Sequence, residues 1–347
     1  MNRRDLLRTG IVATVAGAAG VLPTASRGEE NRRHKPRRLA AGNTVGLVAP
    51  AGPAADDESV RYSIELLESF GFRVRAGEHV FERNQYLAGE DRDRAADVNA
   101  MFADDDIDAI FTLRGGYGTQ RMLSYLDYDM IASNPKVFIG SSDITGILIA
   151  MHEKAGLVGF HGPSAGGNYS DYALAEFRKV LWEPAARTRI GAAPPVETGP
   201  GRVERRNRVT RFAGGKGRGR LIGGNLTLVS TLMGTPYEPD FRDRIVFLED
   251  VNEAPYRIDR MLTQLWLAGK LQHAAGIAFG KFTKTEDDGN TFSIEEIISQ
   301  RCADLGIPVV GGLMIGHIAD KTTVPMGIEA ELDADAGTLD LLEPAVT

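Results

Sequence analysis

Two serines, two histidines and one acidic strand end carry the residue types that covalent chemistry would need. Val137–Asp143 reads VFIGSSD, and the apolar run ILIAMHEK follows within a few residues. A serine between a strand and a helix N-terminus can present its oxygen on a sharp turn, beside backbone N–H groups able to hold an oxyanion. Ser and Asp are also preferred helix N-caps, and on residue type alone the cap is the stronger reading of Ser141-Ser142-Asp143. A rival, Ser164, lies in GPSAG (Gly162–Gly166), which matches G-x-S-x-G after the strand candidate LVGF. That motif requires a helix directly after the serine, and the following GGNYSDYA delays one.

A serine nucleophile needs a base, and the base needs an orienting acid. Of the six histidines, His34 lies in a charged tail. His79, His152 and His273 occupy helix or loop contexts with no motif beside them, and read as surface or structural residues. His161 and His317 follow strand-like runs and are the candidates. The stretch IVFLEDVNEAPYRIDR supplies Glu249, Asp250 and Glu253. Glu249 comes directly after four apolar residues and can be buried facing an imidazole, whereas Asp250 reads as a turn residue and Glu253 as solvated. After DAIFTL comes RGGYGTQR, Arg114–Arg121. Its Gly115, Gly116 and Gly118 let backbone N–H groups approach a ligand and can shape an anion pocket, or simply make a tight strand-to-helix turn. They do not supply a dinucleotide fingerprint. No HExxH is present, and ADDDID lacks the ligand spacing of a calcium loop, so no metal or other cofactor is expected.

The elements that must position these residues alternate regularly. TVGLVA, FRVRA, DAIFTL and VFIG read as strands. DDESVRYSIELLESFG, with Val60, Ile64, Leu67 and Phe70 on one face, and DRDRAADVNAMFAD, with Ala95, Val98 and Phe102 inward, read as helices. Short apolar strands alternating with longer helices predict a parallel sheet covered on both faces. The polar residues named above then fall at strand C-termini, where open α/β sheets bind ligands. Further on, RIVFLED, GIAFGK and PVVGG are strand candidates, RIDRMLTQLWLAG and SIEEIISQRCADLG helices, and TTVPMGIEAELDADAGTLDLL a set of hairpins. Cys302, at helical spacing with Ile297, Ile298 and Leu305, reads as a small core residue.

The chain of 347 residues, with net charge −7, is large enough for two domains and excludes electrostatic tracking of nucleic acid. One cysteine excludes an internal disulfide framework. The N-terminus carries a twin-arginine pair, Arg3 and Arg4, then a short apolar run and a small-residue step at Ser26. The run is shorter than the roughly 20 residues of a membrane span. It fits an export signal, implying the twin-arginine machinery as a partner and a periplasmic or secreted location; without that signal the chain would be cytoplasmic. The predicted organisation is a signal at 1–26, a linker at 27–40, an N-terminal α/β domain at 41–182, a Pro-, Gly- and Arg-rich connector at 183–217 and a C-terminal domain at 218–347.

Taken together, VGLVAPAGP (Val45–Pro53), YLAGEDRDRAADVNAMFAD (Tyr86–Asp104), DAIFTLRGGYGTQRML (Asp108–Leu123), PKVFIGSSDIT (Pro135–Thr145) and FHGP (Phe160–Pro163) resemble the LD-carboxypeptidase family of serine peptidases, the muramoyltetrapeptide carboxypeptidases. GGNLTLVSTLMGTPYEPD (Gly223–Asp240), IVFLEDVNEAPYRIDRML (Ile245–Leu262) and GHIADKTTVPMG (Gly316–Gly327) extend the resemblance through the second half. It implies an N-terminal parallel-sheet α/β domain, a C-terminal α/β domain with β-barrel character, and an active site between them. It also implies Ser142 as nucleophile, His317 as base and Glu249 as orienting acid, with Ser164 and His161 in a structural turn beside the site. The Asp143 and Gly115–Gly116 amides would hold the oxyanion, and Arg114 would receive a substrate carboxylate. The implied substrate is a muropeptide, the tetrapeptide stem of peptidoglycan, cut before its terminal D-alanine. A related microcin-immunity-type peptidase acting on an acyl-nucleotide amide, and an exported non-catalytic muropeptide-binding protein, are the alternatives. Ser141 replaces the aromatic residue usual before the family nucleophile. The oligomeric state is left open, a homodimer included.

Overall fold

A computed structural model describes residues 33–195, 199–201, 203–286 and 289–347. The expected export signal, and the linker as far as residue 32, lie outside the described residues. No helix among the described residues is long and apolar enough to cross a membrane.

The chain alternates as the apolar patterning requires. Strand β1 (Thr44–Val48) leads to helix α1 (Asp57–Ser69), β2 (Arg73–Ala76), α2 (Asp91–Ala103) and β3 (Ala109–Thr112). Two short helices, α3 (Thr119–Met122) and α4 (Tyr128–Ser133), precede β4 (Val137–Gly140), α5 (Thr145–Ala155), β5 (Phe160–His161) and α6 (Asp171–Leu181). Every residue of β3 and β4 is buried, which their unbroken apolar runs dictate in a sheet covered on both faces. On α1 the Asp56 carboxylate caps the helix by accepting from the Ser59 N–H at 2.8 Å.

The second half contributes β6 (Thr188–Ile190), β7 (Thr210–Ala213), β8 (Lys216–Asn225), α7 (Leu226–Thr231), β9 (Arg244–Val251), α8 (Pro255–Leu267), β10 (Gly276–Thr283), α9 (Ile294–Cys302), β11 (Val309–Gly311), β12 (Val324–Pro325), β13 (Glu329–Asp333) and β14 (Thr338–Leu341). The first sheet runs β12-β5-β4-β3-β1-β2 and is parallel except for β12. The second runs β6-β14-β13-β8-β9-β10-β11-β7 and curls into a half-barrel. Its centre, β8 to β11, is parallel and its flanks are antiparallel.

Two features depart from the sequence pattern. The segment 183–217, expected as a connector, contains β6 and β7 at opposite edges of the second sheet. Short edge strands are formed by pairing with β14 and β11 and need no apolar alternation of their own. In addition, β12, from the last part of the chain, pairs with β5 of the first sheet through Val324 and His161. The apolar core is continuous across both sheets, joining Phe138 and Ile139 to Ile222 and Phe247. Cys302 is fully buried within it, and burial pushes its thiol up to about 12.

Candidate active site

The buried strand β4 runs straight into a one-turn 3-10 helix, Ser142–Ile144, and then α5. Ser141 is extended, and Ser142 adopts φ +63°, a region that non-glycine residues rarely occupy. A non-glycine residue held there costs on the order of 1–3 kcal/mol and persists because packing enforces it. Ser141 stands at the N-cap position yet makes no side-chain cap hydrogen bond. The cap reading of the two serines is therefore not what the fold uses, and Ser142 has the backbone of a nucleophile elbow.

Neighbouring groups hold that elbow in place. The Asp143 carboxylate is buried and accepts from the Thr119 N–H at 2.8 Å, while the Thr119 hydroxyl donates to the Asp143 carbonyl at 2.6 Å. Burial pushes this carboxyl up in pKa, against the opposing pull of the Thr119 bonds. The side chain is thus committed to the start of α3. Its own amide lies in a first helical turn, where N–H groups have no intrahelical acceptor. The Gly115–Gly116 turn after β3 abuts Ser142: a Cβ on Gly115 would lie 2.7 Å from Ser142 Cβ and 3.0 Å from its Oγ. Only glycine allows that approach, which brings the Gly115 backbone against the serine side chain.

Ser164 has none of this. Its φ is not left-handed, the next helix begins at Asp171, and the following amide, Ala165 N–H, donates to the Thr112 carbonyl at 2.9 Å.

The candidate acid and base come from the second sheet and its loops. Glu249 is fully buried near the end of β9, and its Oε2 lies 2.7 Å from His317 Nδ1. Burial alone would raise its pKa, but hydrogen bonding from His161 and His317 outweighs it and holds the carboxyl at about 2. An ionised carboxylate can only accept, so His317 Nδ1 carries the proton and Nε2 remains to act as base. Gly316, at φ +130°, makes the contact possible: a Cβ there would sit 3.1 Å from Glu249 Oε2 and 3.0 Å from the Lys281 carbonyl.

Asn225 connects the two halves of the site. It pairs with Glu249 across β8 and β9, and its N–H donates to Thr145 Oγ1 at 3.0 Å, three residues beyond Ser142. Ser142 Oγ makes no hydrogen bond to His317 among the described residues. Such bonds are often long in unliganded enzymes and tighten on the substrate.

Other candidates are distributed differently. His161 is 2% exposed and its Nε2 lies 3.5 Å from Glu249 Oε1. That is long for a formed hydrogen bond, even though this imidazole helps hold Glu249 ionised. His152 is buried on α5, where burial, with nearby arginines, pushes it down to about 3. His79 pairs with Glu82 at 2.7 Å; with Asp93, their ligand atoms lie within 4.8 Å of one another, but one ring nitrogen is already committed to Glu82. Arg114 is exposed and donates to the Pro53 carbonyl at 3.3 Å. Sequence reasoning did not single out Lys321. It lies four residues past His317 and has no side-chain partner among the described residues. Burial pushes its ammonium down in pKa while the Glu249 charge works the other way.

Comparison with known proteins identifies the family. The LD-carboxypeptidase N-terminal domain matches residues 45–162, and the LD-carboxypeptidase C-terminal domain matches 218–332. A probable murein peptide carboxypeptidase of Bacillus subtilis is 35% identical over 88% of this chain and 94% of its own. The crystal structure of a muramoyltetrapeptide carboxypeptidase from Oxalobacter formigenes is similar at TM-score 0.71 and 31% identity, covering 86% and 98% of the two chains. The microcin C7 self-immunity protein of Escherichia coli is 26% identical over 88% of this chain and 94% of its own. A structure of a microcin C7 self-immunity protein with aspartyl sulfamoyl adenosine reaches TM-score 0.81 at 26% identity, covering 90% of this chain and all of that one. The chain belongs to the LD-carboxypeptidase family and is a hydrolase of the serine carboxypeptidase class.

Proposed function

We propose that this protein hydrolyses the L,D-peptide bond that releases terminal D-alanine from peptidoglycan tetrapeptide stems, through a Ser142–His317–Glu249 triad. The observation that carries the reading is the 2.7 Å bond between His317 Nδ1 and the fully buried Glu249 carboxylate, in a fold that holds a serine at φ +63° on a strand-to-helix turn.

In this mechanism His317 Nε2 takes the Ser142 hydroxyl proton as Oγ attacks the carbonyl carbon of the scissile bond. The oxyanion of the tetrahedral intermediate is held by the Asp143 amide and the Gly115–Gly116 turn. As the intermediate collapses, the C–N bond breaks and the imidazolium returns the proton to the leaving D-alanine amine. Water then attacks the acyl carbon as His317 takes its proton; the C–Oγ bond breaks and the imidazolium returns the proton to Oγ, giving a carboxylic acid and free Ser142. Glu249 stays ionised throughout, fixing the tautomer and stabilising the imidazolium. The free carboxylate of D-alanine requires a cation; Arg114 and Lys321 are candidates. The twin-arginine pair and short apolar run at the N-terminus support action outside the cytoplasmic membrane, on stems of the wall.

The test is D-alanine release from a purified tetrapeptide stem. Ser142→Ala should lower kcat by about 10⁴–10⁶-fold, and Ser164→Ala should leave it within about threefold, since that turn carries no elbow. Full activity in Ser142→Ala would sink the assignment. The higher TM-score with the microcin immunity protein favours one second reading, cleavage of an aminoacyl-nucleotide amide. Turnover of such an amide with none of the tetrapeptide would select it, and binding of the tetrapeptide without turnover would mark a non-catalytic muropeptide-binding protein.

A further inference from the structure

Glu249 has two carboxylate oxygens, and the mechanism uses one. Oε2 accepts from His317, whereas Oε1 is buried with no hydrogen-bond partner. Facing it at 3.5 Å is His161 Nε2, itself buried without a hydrogen-bond partner among the described residues. A buried carboxylate oxygen left alone is costly, and two unsatisfied polar atoms facing each other across 3.5 Å are each other's natural complement.

The surroundings of His161 fix its direction. β5 is held between β4, where Gly140 pairs with His161, and β12, where Val324 pairs with it. The imidazole packs edge-on against Phe247, with ring centroids 5.6 Å apart and an interplanar angle of 69°. Phe247 and Glu249 are two apart on β9, so they share a face. The ring therefore rests on one residue of that face and points Nε2 at the next. Facing an ionised carboxylate, Nε2 must carry a proton, because a lone pair there would repel Oε1.

We propose that His161 is a positioning residue for catalysis: its Nε2–H secures the second oxygen of Glu249, so that the carboxylate stays ionised and aimed at His317. Glu249 then carries an imidazole on each oxygen, one that acts on substrate and one that does not. Because β5 pairs with the strand that ends two residues before Ser142, His161 also ties the acid to the nucleophile's strand. This inference rests on the triad assigned above.

Two substitutions separate the donor from the packing. His161→Phe keeps an aromatic ring against Phe247 and removes the N–H. His161→Gln carries an N–H the same number of bonds from Cβ as Nε2. Losing a hydrogen bond to a charged group should lower kcat by about 10–100-fold in His161→Phe. KM should be unchanged, since the buried ring does not reach substrate. His161→Gln should recover kcat to within about threefold of wild type, as expected when the donor rather than the ring matters. Thermal unfolding of each variant is measured beside the kinetics.

Wild-type kcat in His161→Phe would overturn the proposal. So would equal loss in both variants, which would assign the ring to packing alone. The same proteins are also assayed with p-nitrophenyl acetate, which reads acylation of Ser142 without any peptide. If the wild type cleaves the ester but not the stem, the substrate reading fails, while the Phe and Gln variants still decide the role of His161. A wild type inert toward both overturns both.

Discussion

Glu249 and Asp250 are neighbours on one strand, both buried, and they face opposite ways with opposite results. Glu249 meets two imidazoles and is held at about 2. Asp250 accepts from Asn225 Nδ2 at 2.8 Å, the Thr227 N–H and hydroxyl at 2.9 Å each, and the Val251 N–H at 2.8 Å. Despite those bonds, burial pushes its carboxyl up. Neutral donors satisfy a carboxylate, whereas groups that can take a positive charge stabilise its ionised form across the reaction. One face of β9 meets the two imidazoles; the other ties β9 to the start of α7.

The sharpest way to break this comparison is Glu249→Gln. The amide fits the space but can present its N–H₂ to His317, which favours the wrong tautomer. kcat for D-alanine release should fall by about 10³–10⁴-fold with KM little changed. A loss below tenfold would mean that the two faces of β9 do not differ in function.

Acid unfolding sharpens the comparison through sign. The folded pKa of Glu249 lies below its ordinary 4.5. Its contribution to stability is therefore present above about 4.5 and is lost as pH falls toward about 2. Asp250 is raised above its ordinary 3.8, so its contribution is present below that value and is lost as pH rises through the folded value. Urea midpoints measured at pH 6 and pH 3 should draw together in Glu249→Gln. In Asp250→Asn, which removes the opposing dependence, they should move apart relative to wild type. The reverse pattern would refute the assignment of the two environments.

What the sequence disclosed follows the range of the interactions. β3 and β4 were legible because strands buried on both faces read as unbroken apolar runs. α1 and α2 were legible because one face is periodic and acidic residues open the helix. Glu249 was legible as a buried acid because four apolar residues lead into it. Its partner was not, since 68 residues separate Glu249 from His317 and no local pattern encodes that contact; the resemblance to the family supplied it. The same holds for His161, read as part of a turn, whose ring meets Glu249 through the packing of two sheets. Lys321 was not singled out, because an ammonium with no side-chain partner among the described residues is defined by what surrounds it. β6 and β7 were hidden for a related reason: they exist as edges of a sheet whose other strands lie elsewhere in the chain.

The smallest effect belongs to the other face of β9. Asp250→Asn keeps the shape, but its N–H₂ cannot accept, so one or more of the bonds from Asn225, Thr227 and Val251 is left facing a donor. Leaving a buried donor unsatisfied costs about 1–3 kcal/mol, which for a chain of this size amounts to a fall in Tm of roughly 1–4 °C. Catalysis should suffer less than tenfold, because Asp250 touches neither imidazole. An indirect route to Ser142 runs through Asn225, whose N–H reaches Thr145 at the start of α5. Differential scanning calorimetry beside kcat reads both quantities on the same sample. A hundredfold loss of kcat at unchanged Tm would show that the Asn225–Thr145 contact transmits the state of Asp250 to Ser142, and would join the two faces of β9 into one catalytic unit.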